Sequence, residues 1–151
     1  MKREKFLWPL TQGHHGALLA AKKIREKLSK IGEGDKPALE ALGREVTEIF
    51  QRDLEPHFRG EERELLPIFA GHAGAQDEGV RKIREDHETL RALARSAVKA
   101  DLQRFADGLT AHVRYEEEVF FPRVEQALTE GEKAVEAEKL EAYKPCPLKP
   151  G

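Results

Sequence analysis

Two stretches of the chain repeat one pattern, HFRGEERELLP at residues 57–67 and HVRYEEEVFFP at residues 112–122. Each starts with a histidine, carries a glutamate pair at its fifth and sixth positions, and ends with two apolar residues and a proline. Residues four apart lie on the same face of an α-helix. The pattern therefore predicts two helices, each with a column that runs from histidine through glutamate into an apolar core. The columns are His57, Glu61, Leu65 and His112, Glu116, Phe120.

The composition favours helices throughout the chain. Charged residues make up 36% and aromatic residues 7% of the 151 residues, and Ala, Leu, Glu, Arg and Lys, which form helices readily, are frequent. Charges of both signs are interspersed and the formal net charge is -2. No basic surface for nucleic acid is therefore expected. No apolar run reaches the ~20 residues of a membrane span, so no membrane partner is expected either.

The N-terminus and the single cysteine bear on the cellular compartment. The short apolar run before Pro9 is cut by that proline, which predicts that no signal-peptide core forms. Cys146 is the only cysteine and lies between two prolines, so it can form no internal disulfide and is interpreted as an exposed thiol. These points favour a soluble cytoplasmic protein.

Apolar residues at helical spacing predict the first half of the fold. Helix one is expected from Thr11, a usable N-cap, to about residue 31. Asp35 is expected to cap helix two, with Pro37 in its first turn, and this helix continues to about residue 69. Pro56 lies inside that pattern and should kink the helix or loosen its hydrogen bonding. A loop is expected at residues 70–74.

The second half follows the same reasoning. Helix three is expected over about 77–100 and helix four from after residue 101 to about 128. Thr129 and Glu132 have the spacing of a capping box, which predicts a short polar helix over 134–142 and an extended or disordered tail. Leu18, Val98 and Val119 are among the apolar residues expected to face inward.

Together these segments predict an all-α protein, an antiparallel up-down-up-down four-helix bundle with a short C-terminal extra helix and tail. One domain is expected over 1–151, with the bundle at about 10–128 and the C-terminal helix and tail at 129–151. No strand pattern is present.

The other helices add further histidines to the predicted core. His87 in helix three lies close to the direction of its apolar residues on a helical wheel. Helix one offers His14 and His15, and the wheel favours His14. A single histidine on an apolar face is usually a hydrogen-bonded core residue, and a single glutamate there usually reaches solvent. Two buried carboxylates at matched positions, however, cost several kcal/mol, roughly, unless cations are present.

The sequence therefore predicts a metal site in the bundle core. Imidazole and carboxylate ligands with open coordination positions suit iron or manganese better than a closed zinc site. Glu62, Glu117 and Glu118 are interpreted as solvated neighbours of the motif that could also hydrogen-bond the ligands. His72 is interpreted as solvated. The candidate ligands are His14 or His15, His57, Glu61, His87, His112 and Glu116.

At these residues the chain resembles the hemerythrin-like family of histidine–histidine–glutamate cation-binding domains, from about Leu10 to Leu128. The resemblance implies a non-haem di-iron centre bridged by Glu61, Glu116 and a solvent-derived oxo or hydroxo group, with manganese or zinc as substitutes. Members often carry His-x-x-Leu in helix one, which His15 satisfies with Leu18. The helix-one ligand therefore stays open between His14 and His15.

One departure from the oxygen-carrying members bears on function. They place a second histidine one turn after the helix-three ligand and an aspartate in helix four, whereas this chain has Arg91 and Glu116 at those positions. Tyr115 could hydrogen-bond a bound oxygen species or be a core aromatic residue, and Gly60 leaves room beside Glu61. The departure disfavours simple reversible oxygen carriage.

The resemblance then implies a di-iron protein that binds or senses dioxygen or nitric oxide. The alternatives are a redox enzyme acting on peroxide, oxygen or nitric oxide, and an iron storage or sensing protein, so whether the chain is an enzyme stays open. The expected ligand is a diatomic gas or peroxide, and the sequence predicts no particular protein partner.

Overall fold

The computed structural model describes residues 2–145, and within them all regular structure is helical. The all-α prediction is therefore confirmed. No helix within 2–145 combines the length and apolar character needed to cross a membrane. The five helices are α1 (Trp8–Leu28, after a 3-10 turn at Lys5–Leu7), α2 (36–73), α3 (Glu78–Leu93), α4 (99–127) and α5 (Glu130–Glu141).

The start of α1 differs from the prediction. The helix begins at Trp8 rather than after Thr11, with Pro9 in its first turn, where a proline costs no hydrogen bond. Thr11 is not a cap: its hydroxyl donates to Glu117 of α4 at 2.8 Å.

The bounds of α2 are partly as predicted. Asp35 caps the helix by accepting a hydrogen bond from the backbone N–H of Ala38, as expected. The predicted loop at 70–74 is wrong, because the helix continues through Ala73. It ends at Gly74, whose φ of 99° is open to glycine but strained for other residues.

Three widened, π-helical turns interrupt the long helices, at Phe50–Leu54 and Glu61–Leu65 in α2 and at Glu116–Phe120 in α4. A proline follows each turn at the same distance, at positions 56, 67 and 122. A proline ring collides with the carbonyl four residues earlier, and here that carbonyl belongs to the middle residue of the widened turn. The loosening expected at Pro56 is thus confirmed. The same kind of widened turn recurs at two further places, where Glu61 and Glu116 are the first residues of the turn.

The connection between α3 and α4 lies earlier than predicted. Helix α3 ends at Leu93 and α4 begins at Lys99, because the Ser96 hydroxyl accepts the Val98 N–H and donates to Asp101, which stabilises a turn. The inward assignments of Leu18, Val98 and Val119 are wrong: all three are exposed, since they lie beside the apolar stripe or in the connection.

Contacts between neighbouring helices join residues in opposite chain order. The three helix pairs that these contacts connect therefore run antiparallel. The contacts are Thr11–Glu117 and Arg25–Thr110 between α1 and α4, Glu62–His87 and Glu55–Arg91 between α2 and α3, and Asp77–Arg123 and Asp86–His112 between α3 and α4.

Two apolar clusters fill the interior and leave a polar layer between them. One includes Ile24, Phe50 and Phe105, and the other includes Leu66, Phe69 and Phe120. Along α1, His14 lies one turn after Leu10 of one cluster and one turn before Ala17 of the other. Burial of each large apolar side chain stabilises the fold by about 1.5–3 kcal/mol, which can offset the cost of the polar layer.

Helix α5 packs on the N-terminal turn and on α2. Its start has the predicted capping box between Thr129 and Glu132, although it begins at Glu130 rather than near residue 134. Leu140 is fully buried in the second apolar cluster. Tyr143, expected in an extended tail, instead lies against α2, where a Cβ on Gly60 would come within 2.7 Å of its ring. Cys146 and the end of the predicted tail lie outside the described residues.

Glu136 of α5 is buried, and its Oε2 has no hydrogen-bond partner among the described residues. Burial raises the pKa of this carboxyl to about 7; Lys139 opposes the shift, and Glu64 and Glu132 add to it. An acid whose pKa is raised on folding holds its proton longer when folded. Stability from this group is therefore greatest below its ordinary pKa and is lost as the pH rises through about 7.

We expect Glu136→Gln to raise the free energy of unfolding at pH 8 by about 1–3 kcal/mol and to leave it nearly unchanged at pH 5. Urea denaturation of both proteins at the two pH values measures this. Glu138→Gln on the exposed face of α5 is the matched control and should change neither value. An equal effect of Glu136→Gln at both pH values would contradict the assignment.

Candidate metal centre

Six buried side chains from the four long helices meet in the polar layer. They form two groups, in each of which the potential ligand atoms lie within 4.8 Å of one another. We call them group A, with His14, His57 and Glu116, and group B, with Glu61, His87 and His112. Each group thus takes two histidines from successive helices and one glutamate from the other half of the chain.

The two glutamates connect the groups. Oε1 of Glu61 lies 3.3 Å from Nε2 of both His57 and His87. Oε1 of Glu116 lies 3.2 Å from Nε2 of His14 and 2.9 Å from that of His112. Each carboxylate therefore contacts one histidine of group A and one histidine of group B. This arrangement suits a carboxylate that is shared by two cations.

The unpartnered polar atoms fit a metal site. Seven buried side-chain atoms in residues 2–145 lack a hydrogen-bond partner, and six of these belong to the two groups. Such atoms are costly to bury, and in native proteins they mark a bound ion or water or a strained site. The six are His57 Nε2, both carboxylate oxygens of Glu61, His87 Nε2, His112 Nε2 and Glu116 Oε2.

Three of the four histidines donate a hydrogen bond from Nδ1 to a carboxylate. His14 donates to Glu117 at 2.6 Å, His87 to Glu62 at 2.6 Å and His112 to Asp86 at 3.0 Å. An ionised carboxylate only accepts hydrogen bonds, so the proton lies on Nδ1. At His87 and His112 the Nε2 lone pair then faces the other candidate ligands without a partner, which is the tautomer that binds metal. His14 Nε2 lies within hydrogen-bond distance of Glu116 Oε1, at 3.2 Å.

Burial and the neighbouring polar groups shift the pKa values in this layer in opposite directions. Burial alone would raise the pKa of the Glu61 carboxyl, but His57 and His87 outweigh it and hold that pKa far below its usual range. Burial would lower the pKa of His87, yet the neighbouring carboxylates of Glu61 and Glu62 raise it. Burial dominates at His57 and His112, whose pKa values are lowered. Both of those imidazoles therefore favour the neutral form that a cation requires.

Arg91 supports His87 indirectly. Its guanidinium donates two hydrogen bonds to Glu62 and two to Glu55, at 2.9–3.1 Å, and so fixes the carboxylate that accepts from His87. The Phe58 ring stacks on His87, with 3.9 Å between ring centroids, and the Arg91 guanidinium lies over the same ring. Arg91 therefore fixes Glu62 and Glu55 in a network of charged hydrogen bonds beside group B.

Of the two helix-one candidates, His14 is buried and lies in group A. His15 is exposed and supplies no atom to either group. The reason is that successive helical residues point about 100° apart, so only one of the two can face the core.

Other candidate residues lie away from the two groups. Tyr115 packs against the second apolar cluster, beneath Lys82. His72, interpreted as solvated, is exposed, and its Nε2 lies 2.7 Å from a carboxylate oxygen of Glu132. Glu118 is exposed, whereas the space beside Gly60 is filled by Tyr143.

Sequence reasoning missed Asp86 and left the roles of Glu62 and Glu117 open. Glu62 and Glu117 each directly follow a glutamate of the repeat, and Asp86 directly precedes His87, so adjacency to a candidate ligand is the signal that could have identified them. Which acid meets which imidazole depends on how the helices are aligned across the core, and one helix alone does not fix this.

A small cavity of about 10 Å³ lies against group A. This is close to the volume that one water molecule needs. Its lining is mostly apolar apart from the ligand side chains: Gly13, His14, Ala17, Leu54, His57, Phe58, Leu109, His112, Val113 and Glu116.

These features define a helical protein whose core brings together two histidine–carboxylate groups able to hold metal ions. Residues 9–124 match the family described as the Hemerythrin HHE cation binding domain, so the chain belongs to that family. The predicted resemblance is confirmed. Comparisons with curated proteins and with solved structures find no significant match.

Proposed function

We propose that this chain is a non-haem di-iron protein that binds or senses dioxygen or nitric oxide. In this proposal one iron lies at each of groups A and B, and Glu61, Glu116 and a solvent-derived oxo or hydroxo group bridge them within an antiparallel up-down-up-down four-helix bundle. The observation that carries the proposal is the pair of buried carboxylates, each of which lies within 3.3 Å of one histidine of group A and one histidine of group B.

The ligand chemistry supports iron. Each ion would be held by two imidazoles and by oxygens of the two shared carboxylates, which leaves coordination positions open. Mixed nitrogen and oxygen ligands with open positions suit iron or manganese, and zinc can substitute where the ligands allow four-coordination. Two bound ferrous ions could each supply one electron to a diatomic ligand.

The protein groups around the ligands prepare the site for that chemistry. Glu117, Glu62 and Asp86 orient three imidazoles by accepting their Nδ1 protons. The apolar clusters on either side exclude bulk water, which limits side reactions at the ligands. Arg91 is engaged with Glu62 and Glu55 and adds no nitrogen ligand, because a guanidinium stays protonated.

The size of the cavity favours a diatomic ligand. At about 10 Å³ it has room for a molecule about the size of water, and its apolar walls suit an uncharged gas. A larger organic substrate would require the surrounding helices to move apart.

The test is gas binding by the ferrous protein under anaerobic conditions. We expect an optical change on addition of nitric oxide or dioxygen. Ala17→Leu should fill the cavity; such overpacking costs about 1–3 kcal/mol, so gas affinity should fall by roughly tenfold or more while iron content is retained. Ala20→Leu is the matched control, since Ala20 does not line the cavity.

Other outcomes would assign a different function. An iron-loaded wild-type protein with no response to either gas would contradict the proposal and favour iron storage or sensing. Repeated turnover of peroxide without a stable gas adduct would favour a redox enzyme.

A further inference from the structure

The four histidines of the two groups differ in one respect. His14, His87 and His112 each have a carboxylate on Nδ1, whereas His57 Nδ1 has no hydrogen-bond partner among residues 2–145. The residue that occupies this space is Gly13: a Cβ there would lie 2.6 Å from His57 Nδ1. The position therefore has no room for even a methyl group unless the imidazole moves.

Gly13 and Asp86 occupy corresponding positions in the two halves of the site. Asp86 directly precedes His87 of α3 and accepts the Nδ1 proton of His112 on the following helix. Gly13 directly precedes His14 of α1 and lies against Nδ1 of His57 on the following helix. One half of the site thus has an acid where the other half has a glycine.

The remaining surroundings of the two groups are matched. Each has two histidines, and each shares both glutamates. Glu62, behind group B, is held by Arg91. Glu117, behind group A, is held by Arg3 and Thr11. The two groups therefore differ in the partner of one imidazole: a carboxylate accepts from His112 Nδ1, and none accepts from His57 Nδ1.

We propose that the two metal positions are unequal, and that Gly13 makes group A the weaker and more exchangeable one. This rests on the proposed dimetal function. A carboxylate on the far nitrogen fixes an imidazole and raises its basicity, and its loss costs about 10–100-fold in metal affinity. All three candidate ligands of group A line the small cavity, whereas group B lines it through His112 alone.

Release of iron to a chelator tests the inequality. Wild-type protein loaded anaerobically with ferrous iron is mixed with excess ferrozine, and the absorbance of the coloured complex is followed. We expect two phases of equal amplitude, with rates about 10–100-fold apart. Asp86→Ala should accelerate the slow phase towards the fast one, and Asp86→Asn, whose amide oxygen can still accept from His112, should restore part of the difference.

A second pair of variants tests Gly13 itself. Gly13→Ala should displace His57 and remove the fast phase, leaving about one iron per chain by metal analysis. Gly16→Ala, one turn away with no heavy atom near its Cβ position, should keep both ions. Unfolding of the metal-free proteins shows whether each variant is folded. A cooperative transition of Gly13→Ala, weakened by no more than the cost of overpacking, would show that the lost iron reflects the displaced imidazole and not failure to fold.

The outcomes separate this inference from the proposed function. Two ions released from wild-type protein in a single phase, or two ions retained by Gly13→Ala, would overturn the inequality and leave a di-iron site in place. Absence of bound iron in the wild type would overturn both.

Discussion

Glu61→Gln and Glu116→Gln should each reduce bound iron from about two ions to less than one per chain after desalting. The two carboxylates are fully buried, and each touches a histidine of both groups, so removing one negative charge weakens both metal positions at once. The amide is of similar size but neutral, and it cannot bridge two cations. Because loss of a single outer partner already costs about 10–100-fold, loss of a shared ligand should cost at least about 100-fold.

Metal analysis after anaerobic loading measures this effect. Glu118→Gln and His15→Ala are the controls, since Glu118 belongs to the same widened turn as Glu116 and His15 is the neighbour of His14, yet both are exposed. Both controls should retain about two ions. Full iron content in either buried-glutamate variant would contradict the shared-carboxylate geometry.

Removal of metal should lower the free energy of unfolding by several kcal/mol. Free ligand at 100 times its dissociation constant stabilises a folded protein by about 2.7 kcal/mol per site, so two sites give ~5 kcal/mol. Metal-free protein must instead keep six unpartnered polar atoms between two apolar clusters. We therefore expect metal binding to be coupled to folding.

Urea denaturation with ferrous iron and with a chelator, both under anaerobic conditions, measures the difference. The Glu61→Gln, Glu116→Gln double variant should unfold at the same urea concentration in both conditions. The Glu136→Gln variant, altered away from the two groups, should keep the full difference. An equal free energy of unfolding for wild-type protein with and without iron would contradict the coupling.

The ligand columns were predictable because they depend on one helix at a time. His57 with Glu61 and His112 with Glu116 follow from the four-residue spacing, and His14 is distinguished from His15 by the apolar face of α1. Pro56 also carried a readable signal, since it predicted a local loosening of its helix. The structure adds that two of the widened turns begin at the glutamates of the repeat.

Other features depend on contacts between helices and could not be predicted in this way. Asp86 meets His112 only because α3 and α4 are aligned so that residues 26 positions apart in the chain lie side by side. The close approach of Gly13 to His57 depends likewise on how α1 packs on α2. The exposure of Val98 follows from a serine turn that replaces the predicted end of α3.

Arg91 shows how the structure changes the meaning of a sequence difference. The sequence presents it as a missing histidine, whereas the structure gives it a defined task, the fixing of Glu62 and Glu55 behind His87. An arginine suits this task because its planar guanidinium can pair with two carboxylates at once. The departure from the oxygen carriers is thus accompanied by a supporting network around group B.

The number of metal ions bound per chain measures the proposed dimetal centre most directly. Wild-type protein is loaded with ferrous iron under anaerobic conditions, desalted and analysed for metal and protein concentration. The two groups of buried histidines and shared glutamates lead us to expect about two iron ions per chain, reduced by Glu61→Gln and by Glu116→Gln. A folded wild-type protein that retains no iron, or that retains the same amount as both variants, would contradict the dimetal centre.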